Sequence, residues 1–523
     1  MAKSIKYPIG IQTFSEIITE NYLYVDKTKL VYELTHGAKY VFLSRPRRFG
    51  KSLLMSTLEA YFEGKRELFE GLAISKLETE WQSYPILHFD LSGANYNHPR
   101  RLITRITGCL NDIEEKYALN IAERENISER FIQSIKQVYE RSNKRVVILI
   151  DEYDKPMLDC LHNDDLHDEI KAELRGFYSA IKLSDRYIKF AMLTGVSKFG
   201  KVSIFSGLNN LKDISLLPKY NDICGISETE FRRGFTTSVE EFAEENGLTV
   251  EETWDGFKTL YDGYHFASRG EYIYNPFSVL NAFDSEEFGS YWFDSGSSSY
   301  LIKLIRRNRY LLANVEGARR KKSALSDISD ISRDLVPLLY QSGYLTIKGY
   351  DKTTLEYILG FPNKEVYESF WETLANNFFL NKVGDSSFSV DKFLSDVNEG
   401  RPEKFMERLK SLFADTESSY EPNKEVHFQN MMAIACKMMG LTVRTEIHSS
   451  MGRCDMQIET PAYVYIFEFK VDGSVEEAMK QIHEKDYAGR FGVDPRTVFL
   501  IAANFSTKTR TLTEPWLIET IVR

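Results

Sequence analysis

Cysteine pairs and long apolar runs are both missing from this sequence. Its five cysteines are scattered without a CxxC pair, a pattern that excludes a zinc knuckle and a disulfide framework. We expect them to be free, buried thiols. They are Cys109, Cys160, Cys224, Cys436 and Cys454. The longest purely aliphatic runs, such as residues 146–150, have the length of a strand and fall far short of the ~18 residues of a membrane span.

A secretory signal and an excess of positive charge are also missing. The opening stretch MAKSIKYPIGIQTF lacks the apolar core of a signal peptide. We therefore expect a soluble, cytoplasmic protein with no membrane partner. Lysine and arginine total 66 against 76 acidic residues, so the net charge is −10. This balance argues against chain-wide attraction for nucleic acid but allows a local basic groove.

The composition that remains is that of an ordinary globular protein. Hydrophobic residues at 43% and charged residues at 27% exclude a disordered, collagenous or coiled-coil chain. At ~100–200 residues per domain, the length favours about three domains. We find no fixed-period repeat and no Pro/Ser-rich linker, so the predicted boundaries rest on pattern alone. The predicted domains are residues 1–215, 216–420 and 421–523.

Strand-like runs alternate with helical patterns between Tyr40 and Ile214. The runs are YVFLS, YPILHFDLS, VVILIDEYD and IKFAMLTGV, and the helical SLLMSTLEAYF follows the first of them. Strands separated by helices predict a parallel sheet in a three-layer α/β domain.

The loop after YVFLS ends in Gly50, Lys51 and Ser52. A phosphate needs bare backbone N–H groups, a helix N-terminus, a mobile ammonium and a hydroxyl for Mg²⁺, and these residues supply them in order. Arg45 stands where the GxxxxGK[ST] pattern has its first glycine, and Pro46 limits how the loop bends. The alternative is a turn with a surface lysine.

A pair of carboxylates, Asp151 and Glu152, ends the uncharged run VVILI. Such a run predicts a buried central strand, and carboxylates at its end lie at the crevice where α/β sheets bind ligands. We expect Asp151 to hold the Mg²⁺ shell and Glu152 to polarise the attacking water. An ordinary strand followed by a solvated acidic turn is the alternative. The two motifs together predict an ATP site.

Three further residues are candidates for the same site. Thr194 ends the run FAMLT, where its hydroxyl would sense the γ-phosphate or merely make a turn bond. Arg47 and Arg48 lie in the loop itself and are candidates for binding phosphate.

A second candidate site surrounds a predicted β-hairpin near the C-terminus. Strand pairing centred between Pro461 and Ala462 places Asp455 directly opposite Glu468, and the period of two puts Lys470 on the same face. Two carboxylates and one ammonium are therefore predicted to converge.

Opposed carboxylates repel each other unless a cation joins them, so this pairing predicts a metal site. Mg²⁺ or Mn²⁺ is favoured over zinc because the core of the motif, Asp455, Glu468 and Lys470, offers no thiolate or imidazole. Lys470 would orient or help deprotonate a water and stabilise the transition state of phosphodiester hydrolysis, on DNA or RNA. The alternative is a cross-strand salt bridge in which Lys470 neutralises both acids.

Basic residues are concentrated between Lys303 and Lys322, where eight of them face one acid, Glu316. Such a segment would track a phosphate backbone. The alternative is a solvated helix face.

Seven segments together resemble the bacterial AAA-ATPase-like family, whose members commonly carry a C-terminal PD-(D/E)xK nuclease-superfamily domain. They are YVDKT, SRPRRFGKSLL, IDEYDKP, TGVSKFGKVSIFSGLNNL, YDGYHF, YNPFSVLNAF and FPNKEV. The GRxD, EFK and QIxxKxY segments are similar to that nuclease-superfamily domain. By this resemblance Glu425, Asp455, Glu468, Lys470 and Gln481 map onto active-site positions, with Lys485 and Tyr487 as further candidates.

The predicted fold class is α/β. We expect a P-loop parallel-sheet ATPase domain, then a helical lid or linker region for which a winged-helix-like fold is an alternative, and then a restriction-endonuclease-like C-terminal domain. The leading hypothesis is an ATP-binding, ATP-hydrolysing protein coupled to a metal-dependent nuclease-like domain. The rival is an ATP-controlled switch that binds protein or nucleic acid without cutting it. An oligomer is compatible with either.

Overall fold

The chain forms two compact units in the computed structural model. The N-terminal unit comprises Met1–Tyr300 and Arg319–Val366, and the C-terminal unit comprises Leu301–Ala318 and Tyr367–Arg523. The structure describes residues 5–122, 125–161, 163–199, 210–294, 301–302, 304–305, 310–326, 328, 333–378, 390–414, 424–448, 453–509 and 511–521. The sequence-based boundaries after residues 215 and 420 stay a prediction.

The N-terminal unit is built on a parallel sheet with helices around it. Its strands are β1 (Tyr40–Ser44), β2 (Ile86–Asp90), β3 (Val146–Asp151), β4 (Ile188–Gly195), β5 (Lys212–Asp213), β6 (Ile226–Ser227), β7 (Ile273–Tyr274), β8 (Arg319–Lys321), β9 (Thr346–Asp351) and β10 (Glu356–Gly360). Its helices are Phe14–Thr19, Thr28–Gly37, Lys51–Phe62, Pro99–Lys116, Ile127–Ser142, Lys155–Asp159, Asp164–Leu183, Glu228–Gly234, Thr236–Asn246, Val250–Tyr261, Pro276–Ser285, Tyr291–Asp294, Lys322–Leu325 and Val336–Ser342. The helix Lys364–Phe378 begins in this unit and ends in the next.

The parallel sheet has the strand order β2-β3-β4-β1-β5, which confirms the predicted parallel α/β arrangement. Every residue of β3 is buried, as its uncharged sequence requires. The helices Lys51–Phe62 and Ile127–Ser142 both pack against β3. The carboxyl ends of β1, β2 and β3 therefore lie at one edge of the sheet.

The middle of the chain combines an aromatic helical core with a small antiparallel sheet. Phe231, Phe257 and Phe283 lie in that core, and the sheet has the order β8-β10-β9. The basic residues 319–321 form strand β8, so the expectation of a helix face is wrong for them.

The arginines of β8 form ion pairs within the N-terminal unit. Arg319 contacts Asp351 at 3.1 Å, and Arg320 contacts Asp334 at 2.6 Å. These pairs compete with any phosphate for the two guanidinium groups, which weakens the predicted phosphate track at this point. Lys303 and residues 306–309 of the same basic segment lie outside the described residues.

The C-terminal unit contains a mixed sheet of order β11-β12-β13-β14-β15. Its strands are β11 (Thr442–His448), β12 (Arg453–Glu459), β13 (Tyr463–Val471), β14 (Thr497–Ser506) and β15 (Thr511–Ile521), and its helices are Val390–Asn398, Pro402–Ala414, Lys424–Met438 and Val475–Glu484. β12 and β13 form the hairpin that the sequence predicts. β15 was not predicted, because Pro515 and the acidic residues of TLTEPWLIETI are untypical of a strand interior. These residues are tolerated because β15 lies at the edge of the sheet and, among the described strands, pairs only with β14.

All five cysteines are buried and free, as expected from their spacing. Within the described residues, none of the helices combines the length and the apolarity that crossing a membrane requires.

Candidate functional site

A cavity of about 440 Å³ opens at the carboxyl ends of β1, β2 and β3. It joins the two motifs that sequence analysis singled out, which lie about a hundred residues apart in the chain. The predicted residues that line it are Arg47, Arg48, Gly50, Lys51, Ser52, Asp151 and Glu152. Three cationic side chains therefore meet two carboxylates in one cavity.

Gly50 makes the turn from the loop into the helix Lys51–Phe62. Its φ of +88° lies in the left-handed region that side chains disfavour. No atom lies within 4 Å of a Cβ placed there, so the requirement for glycine is one of backbone conformation and not of space. Ser52 follows in the first turn of the helix and lines the cavity.

The ammonium of Lys51 lies on the floor of the cavity, and the side chain is buried. Nζ donates hydrogen bonds to the carbonyl oxygens of Arg45 at 3.1 Å and Pro46 at 3.0 Å. The loop carbonyls thus hold the ammonium beside the cavity, and its third N–H can be offered to a phosphate.

Arg45, at the position of the missing first glycine, points away from the cavity. Its guanidinium donates to the carbonyls of Ser215 and Tyr220, both at 2.8 Å, and lies 4.2 Å from the centre of the Phe266 ring. Burial lowers the pKa of Arg45. The arginine therefore anchors the base of the loop to residues 215–221, and the phosphate-binding half of the loop does not need the glycine.

Asp151 is held by groups from both sides of its strand end. The hydroxyl of Thr194 and the backbone N–H of Glu152 both donate to Asp151 Oδ1, the latter at 3.0 Å. Thr194 is fully buried behind Asp151 and is not among the residues that line the cavity. The structure thus gives Thr194 an orienting contact with Asp151 and no direct access to a bound phosphate.

Glu152 lies in a left-handed backbone conformation, with a φ of +51°. Such backbone strain is common at functional turns. Burial raises the pKa of Glu152. The charge of Lys51 lowers this pKa, whereas the charges of Asp154 and Asp151 raise it further. A carboxyl group with a raised pKa is a stronger base when ionised.

Sequence analysis missed several residues of this cavity. Asp90 ends β2 and lies directly beside Asp151 in the strand register, and Ser92 follows the strand. The signal was present, because ILHFD ends in an acid as VVILID does. Nothing in the local pattern marked the apolar wall, which comes from two distant segments. That wall is formed by Pro8, Ile9, Ile11, Pro276, Phe277 and Leu280.

An apolar chamber of about 100 Å³ adjoins the cavity. The two share lining residues, among them Pro8, Leu53 and Leu280. Arg48 stacks on the wall, its guanidinium 4.9 Å from the centre of the Phe277 ring. An elongated ligand with an anionic end and an apolar ring fits this shape.

The second candidate site lies on the β12–β13 hairpin of the C-terminal unit. Met456 pairs with Phe467 and Gln457 pairs with Ile466, which confirms the predicted register. Asp455 and Glu468 are both buried. Oδ2 of Asp455 accepts the backbone N–H of Phe469 at 2.8 Å, so the acid lies against the partner strand.

A chain of polar contacts extends from Glu468. Lys470 Nζ lies 3.3 Å from Glu468 Oε1 and donates to Gln481 Oε1 at 2.6 Å. The amide of Gln481 donates in turn to the Tyr487 hydroxyl at 3.2 Å. Burial raises the pKa of Tyr487. Burial and the nearby charge of Asp455 raise the pKa of Cys454 to about 12. Four residues that the resemblance marked are therefore brought together.

Two other marked residues are not part of these contacts. The side chain of Glu425 lies outside the described residues, although its helix is described. Lys485 is exposed. Across the described ranges, no cluster of three or more His, Cys, Asp or Glu side chains is arranged to hold a metal.

Comparison with known proteins covers both sites. A family model described as Predicted AAA-ATPase matches residues 8–205, and a PD-(D/E)XK nuclease superfamily model matches residues 423–515. A protein of Azotobacter chroococcum mcd 1, "Uncharacterized protein in vnfD 5'region", is 34% identical over 522 residues, which span 97% of this chain and 98% of the relative. The chain therefore belongs to the family of AAA-ATPase-like proteins that carry a C-terminal domain of the PD-(D/E)XK nuclease superfamily.

Proposed function

We propose that this protein binds and hydrolyses ATP in the cavity of the N-terminal unit, and that this cycle controls a metal-dependent nuclease in the C-terminal unit. The observation that carries the first half is the single cavity in which Lys51 meets Asp151 and Glu152. A triphosphate needs this combination of cations for its oxygens and carboxylates for its metal and water.

Different parts of the cavity would bind the phosphates and the base of the nucleotide. The backbone of Gly50 and the first turn of the following helix point N–H groups toward an anion, and Lys51, Arg47 and Arg48 add positive charge. The apolar wall and chamber suit the base, which favours a nucleotide over a free phosphate.

The donors at the loop fit Mg²⁺, since Ser52 and Asp151 offer only oxygen ligands. Mg²⁺ bound there would neutralise charge on the phosphate oxygens. Glu152 would take a proton from the attacking water, because its raised pKa suits a general base.

The hairpin site fits Mg²⁺ or Mn²⁺ for a related reason. Asp455 and Glu468 are buried acids on paired strands, and carboxylate oxygens are the ligands that these two ions prefer. The metal would supply charge stabilisation at a phosphodiester. Lys470, held by Gln481, would orient the attacking water.

One observation favours the non-cutting rival. The described part of the chain has no group of three or more His, Cys, Asp or Glu side chains that could hold a metal, and Lys470 already contacts Glu468 and Gln481. An ATP-controlled domain that binds DNA or RNA without cleavage would need no more than this.

The test uses the full-length protein with plasmid and single-stranded DNA or RNA, with Mg²⁺ or Mn²⁺, with and without ATP. Lys51→Ala should abolish ATP binding, and Lys470→Ala should abolish cleavage while ATP binding persists. Lys29→Ala and Lys508→Ala, at exposed positions, are the matched controls. Unchanged ATP affinity in Lys51→Ala refutes the nucleotide site, whereas metal-independent binding without any product supports the rival.

A further inference from the structure

Glu365 is a buried acid, 1% exposed, that joins two elements of the N-terminal unit. Its Oε1 accepts the backbone N–H of Trp292 at 2.7 Å, and its Oε2 accepts the hydroxyl of Ser278 at 2.9 Å. A buried carboxylate depends on such donors, because each replaces water that burial removes. The position of Glu365 is therefore tied to both partners.

Both partners lead to the nucleotide cavity. The indole Nε1 of Trp292 donates to the carbonyl oxygen of Arg47 at 3.0 Å, and Arg47 lines the cavity. Ser278 lies in the helix Pro276–Ser285, whose residues Phe277 and Asn281 line the opposite side of the same cavity. One carboxylate thus holds the phosphate-binding loop and the apolar wall at once.

Glu365 also begins a helix that leaves the N-terminal unit. The helix Lys364–Phe378 starts one residue before Glu365, and the N-terminal unit ends at Val366. Residues 367–378 of the same helix belong to the C-terminal unit. The acid therefore lies two residues before the point at which the chain passes from the N-terminal unit into the C-terminal unit.

Nucleotide binding has a direct route to this acid. Lys51 Nζ donates to the carbonyls of Arg45 and Pro46, and an ammonium has a third N–H to offer a phosphate. A bound phosphate therefore pulls on the backbone directly before the carbonyl of Arg47, to which Trp292 donates. A ligand ring against Phe277 acts on the second partner.

We propose that Glu365 is a positioning residue that couples occupancy of the nucleotide cavity to the helix Lys364–Phe378. This inference rests on the proposed ATP binding. The contacts of Glu365 with Trp292 and with Ser278 provide the regulation that the proposed function requires.

Hydrogen–deuterium exchange of residues 364–378 tests the coupling in the full-length protein, with Mg²⁺ and a non-hydrolysable ATP analogue. In the wild type the analogue should change exchange in this helix about fivefold. Glu365→Ala should lose the response while still binding the analogue. Glu365→Gln should keep it, because its amide oxygen accepts from Trp292 and its N–H can donate to the Ser278 oxygen.

Trp292→Phe provides a second variant if Glu365→Ala fails to fold. It keeps an aromatic ring but loses the hydrogen bond to the Arg47 carbonyl, so the analogue should no longer change exchange in residues 364–378 although it still binds. Trp516→Phe, in the C-terminal unit, is the matched control.

The outcomes separate the two proposals. Analogue binding without any response in residues 364–378, or a response that survives in Glu365→Ala, overturns the coupling alone. A wild type that does not bind the analogue overturns the proposed function and this inference with it.

Discussion

The hydroxyl of Thr194 donates a hydrogen bond to Oδ1 of Asp151 and so ties the end of β4 to the end of β3. This contact orients the carboxylate proposed to hold the metal of the nucleotide site. Thr194→Val should therefore weaken Mg²⁺-dependent ATP binding by about 10- to 100-fold, as loss of a ligand's supporting bond typically does. ATP affinity without Mg²⁺ should change little. Titration calorimetry with and without the metal measures both, with the exposed Thr104→Ala as control.

Glu152→Gln should slow ATP hydrolysis by about 100- to 10,000-fold, since the amide cannot take a proton, while binding remains. Burial raises the pKa of Glu152, so in the wild type hydrolysis should be lost as pH falls through a value above 4.5. Single-turnover rates across the acid range measure this limb. A rate that stays constant with pH, or that survives the substitution, argues against Glu152 as the base.

Asp262 should make the protein less stable at neutral pH. Burial raises the pKa of Asp262 to about 6 from 3.8, and its Oδ1 has no hydrogen-bond partner among the described residues. The stability that the protonated acid contributes is present below 3.8 and is lost as pH rises through about 6. Asp262→Asn should therefore raise the free energy of unfolding by about 2 kcal/mol at pH 7.5.

The gain from Asp262→Asn should vanish near pH 4, where both proteins are neutral at this position. Denaturant unfolding at the two pH values measures the difference, with the exposed Asp255→Asn as control. An equal gain at both pH values would mean that the effect does not come from the charge.

Replacing Arg45 by the glycine of the generic phosphate loop should be harmful. Arg45→Gly leaves the buried carbonyls of Ser215 and Tyr220 without their charged donor, which should cost about 2–4 kcal/mol of unfolding free energy. ATP affinity should fall as well, because the base of the loop loses its anchor. Thermal unfolding and ATP titration measure these effects. Arg45→Met, which fills the same space without donors, separates the hydrogen bonds from packing.

Metal should stabilise the C-terminal unit through Asp455. Mn²⁺ that binds the folded protein raises its melting temperature by mass action, and Asp455→Asn should reduce that rise. The measurement is thermal unfolding in Mn²⁺ without ATP, reversed by chelation with EDTA. The exposed Asp486→Asn should behave as the wild type does. An unchanged rise in Asp455→Asn would place the metal elsewhere.

Local sequence patterns predicted much of this protein's structure. The alternation of strands and helices predicted the parallel sheet, and the turn after Glu459 together with the period of two predicted the pairing of Met456 with Phe467. Such features depend on neighbours within about ten residues, whose spacing repeats along the chain. Gly50, Lys51 and Ser52 were found for the same reason, because a phosphate loop is contiguous.

Tertiary structure alone decided what surrounds these motifs. The apolar wall joins residues near Ile9 to Phe277, and Glu365 meets Trp292 and Ser278 across more than seventy positions. The hydrogen bond from Thr194 to Asp151 depends on how β4 lies beside β3, and the local sequence did not show it. Contacts between distant segments leave no period in the local sequence. The sequence by itself therefore determined the contiguous motifs of each site, and the packing of remote segments decided which further groups join them and how all of them are held.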